Sequence, residues 1–568
     1  MELTKIGVQE KQHRRERGEP QRTQGRKKKF MKVFDRRSLL VMGKLFVFLG
    51  IQQSLFGQSL IVGRDDVLRQ LQLEGKIGGV SSLCARPFFA DAAISTDSIY
   101  RLVDANTARV SGGKLIGGKY GKWEVLPLTW DNQFTSNHPY GWNQTDMIEA
   151  RGLESVLGVG VFASMGVVSV QLNPEFAYAA NTNFAHSVNY GASTKGAYHH
   201  FFPGQSSLRL NLGAVSLGVS TENIWWGPGM NNSLLMSNNA PGFLHLTLNS
   251  RKPLKTPIGS FEWQFVSGKL TEDTSVLLEN KNLTTTYYNP LTYSGDGYSG
   301  PYNPAKKWRY FNGITVTYQP KWMPGLFLGV SRIAYAYNDS LRNGDPSFLK
   351  SYLPTIFGVF RQNYAYGLNL PAGSKRYKQM ASVHFRYVFE KSHAELYGEY
   401  GWGDNQYNIR DFVLNVDHSR AFILGARKLM PLAKNRWLDW QFEMTQMSQA
   451  PSYLVRTAGN WYGYQGGYTN QSRIMGAGVG MGNNVQTFTV SWVEGFSRLG
   501  VKMERLEHDP DDYAVKWVDE SVGFLGQRRF GKIMVSGEVQ GVVSNGYLWM
   551  QGNSAFNLRC VIKGVYRF

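Results

Sequence analysis

The sequence predicts an all-β transmembrane β-barrel of about 16–18 antiparallel strands, preceded by a small N-terminal helical segment that is periplasmic or acts as a plug. Three observations predict it: an export leader, a period-2 alternation through most of the chain, and a C-terminal strand that ends on an aromatic residue. No segment after the leader approaches the roughly 18 unbroken apolar residues of a spanning helix. A chain of this composition therefore crosses a membrane only as a closed barrel.

Residues 1–57 read as a leader. Met31 begins an export signal, with a basic region at Lys32, Arg36 and Arg37 and an apolar stretch from Leu39 to Ile51. Gly57-Gln58 is the expected cleavage junction. Our hypothesis is that translation starts at Met31, so that residues 1–30 are a non-native extension; the alternative is a single membrane anchor.

Residues 58–120 form the predicted helical region. Asp65 to Leu73 carries apolar residues on one face, and Ser95 or Thr96 is placed to cap a second helix over Asp97–Asp104. Between them, Arg86-Pro87-Phe88-Phe89 reads as a turn with an aromatic anchor. The alternative for this region is a disordered linker.

Residues 121–568 form the predicted barrel, because the hydrophobic period changes to 2. Apolar and polar side chains alternate in segments around residues 168–178, 208–212, 261–265, 383–389 and 438–444. Such strands suit lipid outside and water inside. Long polar stretches at 280–306, 338–377 and 450–472 are the expected extracellular loops, while short connections face the periplasm.

The C-terminal segment places apolar residues on one face and polar residues on the other. Phe556, Leu558, Cys560, Ile562, Gly564, Tyr566 and Phe568 alternate with Asn557, Arg559, Lys563 and Arg567. This pattern resembles the terminal strand that outer-membrane proteins present to the barrel-assembly machinery, which is therefore an expected partner during biogenesis.

One motif resembles a known family. Ser220-Thr221-Glu222-Asn223-Ile224-Trp225-Trp226-Gly227-Pro228-Gly229, continued by residues 233–243, is similar to the signature of the Wzi-type capsule assembly family. Residues 139–143, 151–153, 172–176 and 204–206 also resemble it, in the same order and spacing. The resemblance implies an outer-membrane barrel that acts late in capsule export, binds capsular polysaccharide and helps hold it on the cell surface, with no catalytic residues.

The motif supplies the predicted polysaccharide-binding residues. Trp225 and Trp226 offer flat apolar faces to sugar C–H groups, and the glycines around Pro228 fix the turn. Hydroxyl partners come from four further residues, and two arginines attract acidic sugars. These six are Glu222, Asn223, Asn238, Asn239, Arg151 and Arg209. The alternative is a loop folded into the lumen that seals the pore, with both tryptophans merely packed.

Charged residues on the polar strand faces permit two interpretations. Arg386, Lys502 and Arg559, with Arg151 and Arg209, either attract uronic or pyruvylated sugars or belong to an ordinary charged ladder lining the lumen. The ladder's acidic members would be Glu175, Glu262, Glu395, Glu399, Glu443 and Glu504.

The charge balance points to anionic surface glycans, outer-membrane lipid and lipopolysaccharide as partners. The net charge is +20, and without residues 1–57 the chain still holds 48 Lys/Arg against 37 Asp/Glu. The basic residues are scattered, which argues against nucleic acid. The two cysteines, Cys84 and Cys560, show no metal-binding spacing, and no metal or other cofactor is expected.

An enzyme is the less favoured reading. Glu395 and Glu399 share one strand face, as a glycosidase pair could, but sequence does not give their separation. No nucleophile-elbow motif stands out, and His199-His200, read as part of an aromatic loop, lacks the spacing of a metal motif. The alternative function is a porin or channel for saccharides or other small solutes.

Overall fold

The computed structural model describes residues 66–77, 81–89, 114–116, 121–148, 150–184, 196–271, 308–338, 352–357, 378–403, 419–433, 435–448, 468–471, 473–480, 482–510, 514–566 and 568. The predicted leader, the predicted helix 97–104 and most of the predicted long loops lie outside these residues.

Helices are few in this part of the chain. They are α1 (Asp66–Leu73), α2 (Pro354–Phe357) and the 3-10 turns Glu390–Ser392 and Tyr547–Trp549. The helix predicted over Asp65–Leu73 is therefore present over the part that the structure describes, Asp66–Leu73. None of the helices in the described ranges is long and apolar enough to cross a membrane.

Strands make up the rest of the regular structure. Two short strands apart from the wall pair with each other, β1 (Ala85–Arg86) and β10 (Trp225–Trp226), and two more form a small separate ribbon, β20 (Thr469–Asn470) and β21 (Arg473–Ile474). The short strand β2 (Lys114–Ile116) extends the wall by pairing with β3. The wall itself consists of β3 (Gly121–Thr135), β4 (Gly152–Met165), β5 (Val168–Leu172), β6 (Glu175–Ala179), β7 (Tyr198–Phe202), β8 (Ser207–Leu212), β9 (Val215–Ser220), β11 (His245–Ser250), β12 (Leu254–Thr256), β13 (Gly259–Leu270), β14 (Arg309–Pro320), β15 (Leu326–Tyr337), β16 (Lys378–Phe389), β17 (Ala394–Trp402), β18 (Arg420–Ala433), β19 (Arg436–Gln446), β22 (Asn484–Glu494), β23 (Ser497–His508), β24 (Trp517–Phe530), β25 (Ile533–Asn545) and β26 (Ser554–Tyr566).

The wall closes into an antiparallel barrel of 18 strand positions, within the predicted range. Some positions are interrupted: β5 and β6 both pair with β4, and β11 and β12 both pair with β13. The C-terminal strand β26 pairs with β3, and this closes the cylinder. His199 and His200 lie in wall strand β7, so their placement in a loop was wrong.

The two ends of the barrel differ in the length of their connections. Turns of a few residues join β4 to β5, β8 to β9, β22 to β23 and β24 to β25 at one end. Connections at the other end are long, such as those between β9 and β11 or between β13 and β14. The short-turn end is the periplasmic one in outer-membrane barrels.

The wall has an apolar exterior and a polar interior. Along β4, buried Glu154, Gly158 and Phe162 alternate with exposed Leu157 and Val161. On β26, Phe556 and Ile562 face outward while Asn557 and Arg559 face inward, as the alternation predicted. Exposed apolar side chains on the outside match acyl chains, so the exterior is the lipid-facing surface.

Candidate functional site

The chain that leaves the wall after β9 turns into the barrel interior before it returns as β11. We call residues 221–244 the plug segment. Nearly all of it is buried, and it contacts strands β17 and β19 on the far side of the lumen. The motif singled out in the sequence therefore lies in the barrel interior, as expected for the alternative of a loop folded into the lumen.

The two tryptophans of the motif are packed. Trp226 is 0% exposed, and its indole N–H donates to Gln264 Oε1 at 2.7 Å. Its ring lies against Gly313, where a Cβ would stand 2.7 Å from the indole Cη2 atom. Trp225 is 3% exposed and lies under the Arg86 guanidinium, 5.3 Å from the ring centre. In this conformation neither ring presents a face to a sugar.

Glu443 of β19 fixes the tip of the plug segment. Its carboxylate accepts the backbone N–H groups of Met230, Asn231 and Asn232 at 2.6, 3.0 and 2.9 Å. The Tyr397 hydroxyl donates to the same carboxylate at 2.9 Å. One wall residue therefore holds three consecutive residues of the tip.

The N-terminal segment, residues 66–89, supports the plug segment from the short-turn side. Ala85 and Arg86 pair as a strand with Trp226 and Trp225, and Gly227 N–H donates to Cys84 O at 2.8 Å. The Arg69 guanidinium donates to Pro228 O at 2.5 Å. Both segments are thus parts of one interior structure.

A buried charge triad ties the N-terminal segment to the wall. Glu395 accepts from Arg69 at 2.7 Å and from Arg386 Nε at 2.7 Å. Arg386 also donates to Ser82 O at 2.8 Å, and Glu262 accepts from Ser81 and Ser82. Buried charges persist only when they are paired, so this arrangement depends on residues 66–89 being docked.

The first residues of the plug segment are held by polar contacts near β8 and β9. Arg209 of β8 pairs with Glu222 at 2.5 Å. The Asn223 side chain and backbone exchange two hydrogen bonds with the Gln205 amide, at 2.8 and 3.0 Å. The predicted pairings of Glu222, Asn223 and Arg209 with a ligand are thus occupied by protein groups.

The last part of the plug segment contacts residues 473–480 and the β3–β4 connection. Ser237 N–H donates to Met475 O, and Asn239 Nδ2 donates to Ile474 O at 3.2 Å. Asn238 O and Asn239 Oδ1 accept from the backbone N–H groups of Thr145 and Asn143. Asn238 and Asn239 therefore join three interior segments.

One edge of this structure is only partly buried. Within residues 222–241, the exposure concentrates at Met230 and Asn231, which meet Trp142 and Asn143 of the β3–β4 connection. Trp142 Nε1 donates to Asn231 O at 3.1 Å, and the Asn143 amide also donates to Asn231 O. We call these four residues the outer edge, because the β3–β4 connection belongs to the long-loop end.

Arg151 and four basic residues on the strand faces all bind groups of the protein itself. Arg151 braces the β3–β4 connection by donating to Ser136 O and Asn183 O at 2.9 and 2.7 Å. Arg209, Arg386, Lys502 and Arg559 face the interior, where each pairs with a glutamate; their partners are Glu222, Glu395, Glu504 with Glu538, and Glu538. All four therefore have acidic partners within the protein, as a ladder would require, but Glu222 and Glu538 were not among its predicted acidic members.

Two buried groups of the β3–β4 connection have shifted pKa values. Burial lowers the pKa of the His138 imidazole to about 4. Burial also raises the pKa of the Asp146 carboxyl. Both shifts follow from the cost of a charge in a poorly solvated site.

Sequence reasoning did not assign Trp142, Met230 or Asn231 to the site. Trp142 belongs to the quoted stretch 139–143, so the motif contained the signal, but the outer edge forms only when two distant connections meet. Over the described part of the chain, no group of three or more His, Cys, Asp or Glu side chains is arranged to hold a metal ion.

Comparison with known proteins gives a family and a fold. The family model of the capsule assembly protein Wzi matches residues 135–522. The solved structure of Wzi from Escherichia coli is similar with a TM-score of 0.55 and 13% identity, covering 90% of this chain and 100% of that one. It is described as an outer-membrane, carbohydrate-binding β-barrel involved in group 1 capsule assembly. OccAB4 of Acinetobacter baumannii aligns with a TM-score of 0.37 and 9% identity, over 79% of this chain and 99% of that one. A search of curated proteins gave no significant match.

Proposed function

Because the chain belongs to the Wzi family of capsule assembly proteins and forms an outer-membrane β-barrel, we propose that it binds capsular or other surface polysaccharide and anchors it at the cell surface. The similar Escherichia coli barrel is described as carbohydrate-binding, which supports the proposal. The proposal includes no catalytic role. Of the two carboxylates considered as a glycosidase pair, Glu395 belongs to the charge triad, and Glu399 accepts a hydrogen bond from Leu234 N–H at 3.2 Å.

The outer edge is the single observation that carries this proposal. The Trp142 indole is fixed by its hydrogen bond to Asn231 O and is only partly buried. Asn143 and Asn231 are also only partly buried, and they place amide groups beside the ring. A fixed aromatic ring beside amide groups has the chemistry that recognises a pyranose: apolar C–H contact on a face and hydrogen bonds at its rim.

The residues of the motif have a supporting role in this proposal. Trp225, Trp226, Glu222 and Asn223 hold the plug segment in place, and Asn238 and Asn239 connect it to the β3–β4 connection. Direct contact between a glycan and either motif tryptophan requires the plug segment to move. The motif then specifies the shape of the interior, on which the position of the outer edge depends.

The experiment measures binding of the full-length protein in detergent micelles to surface polysaccharide purified from the same cells. Trp142→Ala should weaken binding by about tenfold, roughly the 1.4 kcal/mol expected for one aromatic contact. Trp549→Ala is the matched control, a partly buried tryptophan at the same end whose indole donates to His508 O. Equal binding by the Trp142 variant and the wild type would rule out the outer edge as the contact.

Anchoring is tested in cells. Deletion of the gene should release polysaccharide into the medium while synthesis continues, and a Trp142→Ala allele should give part of that release. Unchanged surface retention after deletion would refute the anchoring role.

The channel alternative is tested by conductance. The plug segment and the N-terminal segment occupy the lumen, so the wild-type protein in planar bilayers should stay closed. A large, steady conductance would favour the channel over the proposal.

A further inference from the structure

The hairpin between β24 and β25 carries three positive charges at the short-turn end. Arg528 and Arg529 end β24, and Lys532 lies in the turn before Ile533. All three are exposed. Among the described residues, no carboxylate lies within salt-bridge distance of any of them. Arg528 lies over the Phe530 ring, and Arg529 Nε donates to Gly531 O. We call Arg528, Arg529 and Lys532 the basic hairpin.

The basic hairpin borders an apolar part of the outer wall. Phe530 pairs with Ile533, and Ile533 pairs with Tyr566 of the C-terminal strand, so the three side chains share the outward face. Arg528 pairs with Val535 on the same face. Phe530 is 58% exposed and Ile533 and Tyr566 are exposed as well. The cations thus stand where the lipid-facing surface ends.

The other short turns carry charge of the same sign at lower density. Exposed lysines occur at 252 and 255, at 321 and at 391. Of the acids at this end, exposed Glu390 lies beside Lys391 in the same turn, and Glu494 is paired with Arg436 at 3.2 Å. A ligand attracted by charge alone would therefore meet several sites. Among the described residues of the short-turn end, the basic hairpin is the one with three exposed cations within five residues, since Arg251 beside Lys252 and Lys255 is buried.

We propose that the basic hairpin binds the phosphate groups of anionic phospholipids in the periplasmic leaflet. A phospholipid offers an anionic headgroup above acyl chains, which matches cations above an apolar wall. Guanidinium groups donate to phosphate through two parallel N–H groups, so Arg528 and Arg529 suit this ligand better than lysines. An acidic soluble protein would satisfy the charges but not the exposed Phe530, Ile533 and Tyr566.

The test uses the full-length protein in detergent micelles and measures bound phosphatidylglycerol and phosphatidylethanolamine by native mass spectrometry. The wild type should retain phosphatidylglycerol preferentially. The triple variant Arg528→Gln, Arg529→Gln, Lys532→Gln should bind it about 100-fold more weakly, at about 1 kcal/mol for each cation. Lys252→Gln, Lys255→Gln, Lys321→Gln removes the same charge elsewhere and should weaken binding less than about threefold.

Other outcomes overturn the proposal. Equal loss in both triple variants would mean general charge attraction without a site, and no preference for phosphatidylglycerol in the wild type would mean no lipid site. If the Gln variant fails to fold, Arg528→Lys with Arg529→Lys keeps the charge and removes the forked donors; it should weaken binding several-fold, and unchanged binding would contradict the role of the two arginines. None of these results depends on polysaccharide, so they are separable from the proposed function.

Discussion

The wall and the interior of this barrel are stabilised in different ways. The wall repeats one unit, a strand paired to its neighbours with lipid on one side. Except where β26 closes the cylinder on β3, the paired strands are close together in the sequence. The interior is irregular, and its contacts join residues hundreds of positions apart, such as Arg69 with Glu395 and Glu443 with Met230. Wall stability is thus spread over many similar contacts, whereas interior stability depends on a few particular side chains.

The largest expected effect breaks the interior and spares the wall. Glu443→Ala removes the acceptor of three backbone N–H groups and the Tyr397 hydroxyl, and at about 1 kcal/mol or more for each stranded donor it should cost about 4 kcal/mol. We expect a plug segment that proteases cleave and a barrel that conducts ions, with the strand content by circular dichroism unchanged. Glu443→Gln keeps one acceptor oxygen, so its protease sensitivity and conductance should lie between those of the wild type and the Ala variant. An Ala variant that stays closed and resists proteases would show that the carboxylate is dispensable.

Acid should weaken the β3–β4 connection more than the wall. The folded pKa of His138 is about 4, below the value of about 6.5 for an unfolded chain, so the unfolded state binds the extra proton first. The folded state should lose roughly 3 kcal/mol as the pH falls from about 6.5 to 4 and little more below that. The measurement is the midpoint of urea unfolding in micelles against pH. In the His138→Gln variant the midpoint should change little between pH 6.5 and 4. If the midpoint of the variant still falls as steeply as that of the wild type, other groups cause the pH dependence.

Two neighbours on β18 compare the faces directly. Ile423 is 0% exposed and borders the plug segment near Gly229, while Leu424 is 46% exposed on the lipid side. Ile423→Ala should cost about 4 kcal/mol because it also leaves a cavity, and Leu424→Ala about 2 kcal/mol because acyl chains fill the space. Equal losses in the unfolding free energy would mean that the interior is less tightly packed than described.

The smallest effect is a single methyl group. Gly313→Ala would place a Cβ 2.7 Å from the Trp226 ring, so the indole or β14 must shift at about 1 kcal/mol or more. Gly526→Ala is the control, since its Cβ would meet only Arg498 O at 4.0 Å. Trp226 fluorescence should change in the first variant and not in the second, and a Gly313 variant as stable as the wild type would show that the contact yields freely.

Sequence predicted the wall well and the interior poorly, for a physical reason. A period of 2 follows from strand geometry, so β13, β16 and β26 could be recognised from their alternating residues, and β26 also from the aromatic residue at its end. Helix α1 was found from its apolar face. The path of the plug segment has no period, because it is set by side chains such as Glu443 and Gln264 that come from other strands. The sequence alone therefore could not predict that Trp225 and Trp226 are buried or that Trp142 is half-buried.

The charge triad has a consequence for biogenesis. Arg69 and Glu395 are 326 residues apart in the sequence. The tip of the plug segment is held by Glu443, which lies 213 residues beyond Met230. Both acceptors lie on wall strands, Glu395 on β17 and Glu443 on β19, so these contacts can form only after those strands are in place. We therefore expect the cylinder to insert before its lumen is filled, so that each new molecule briefly lets ions cross the outer membrane.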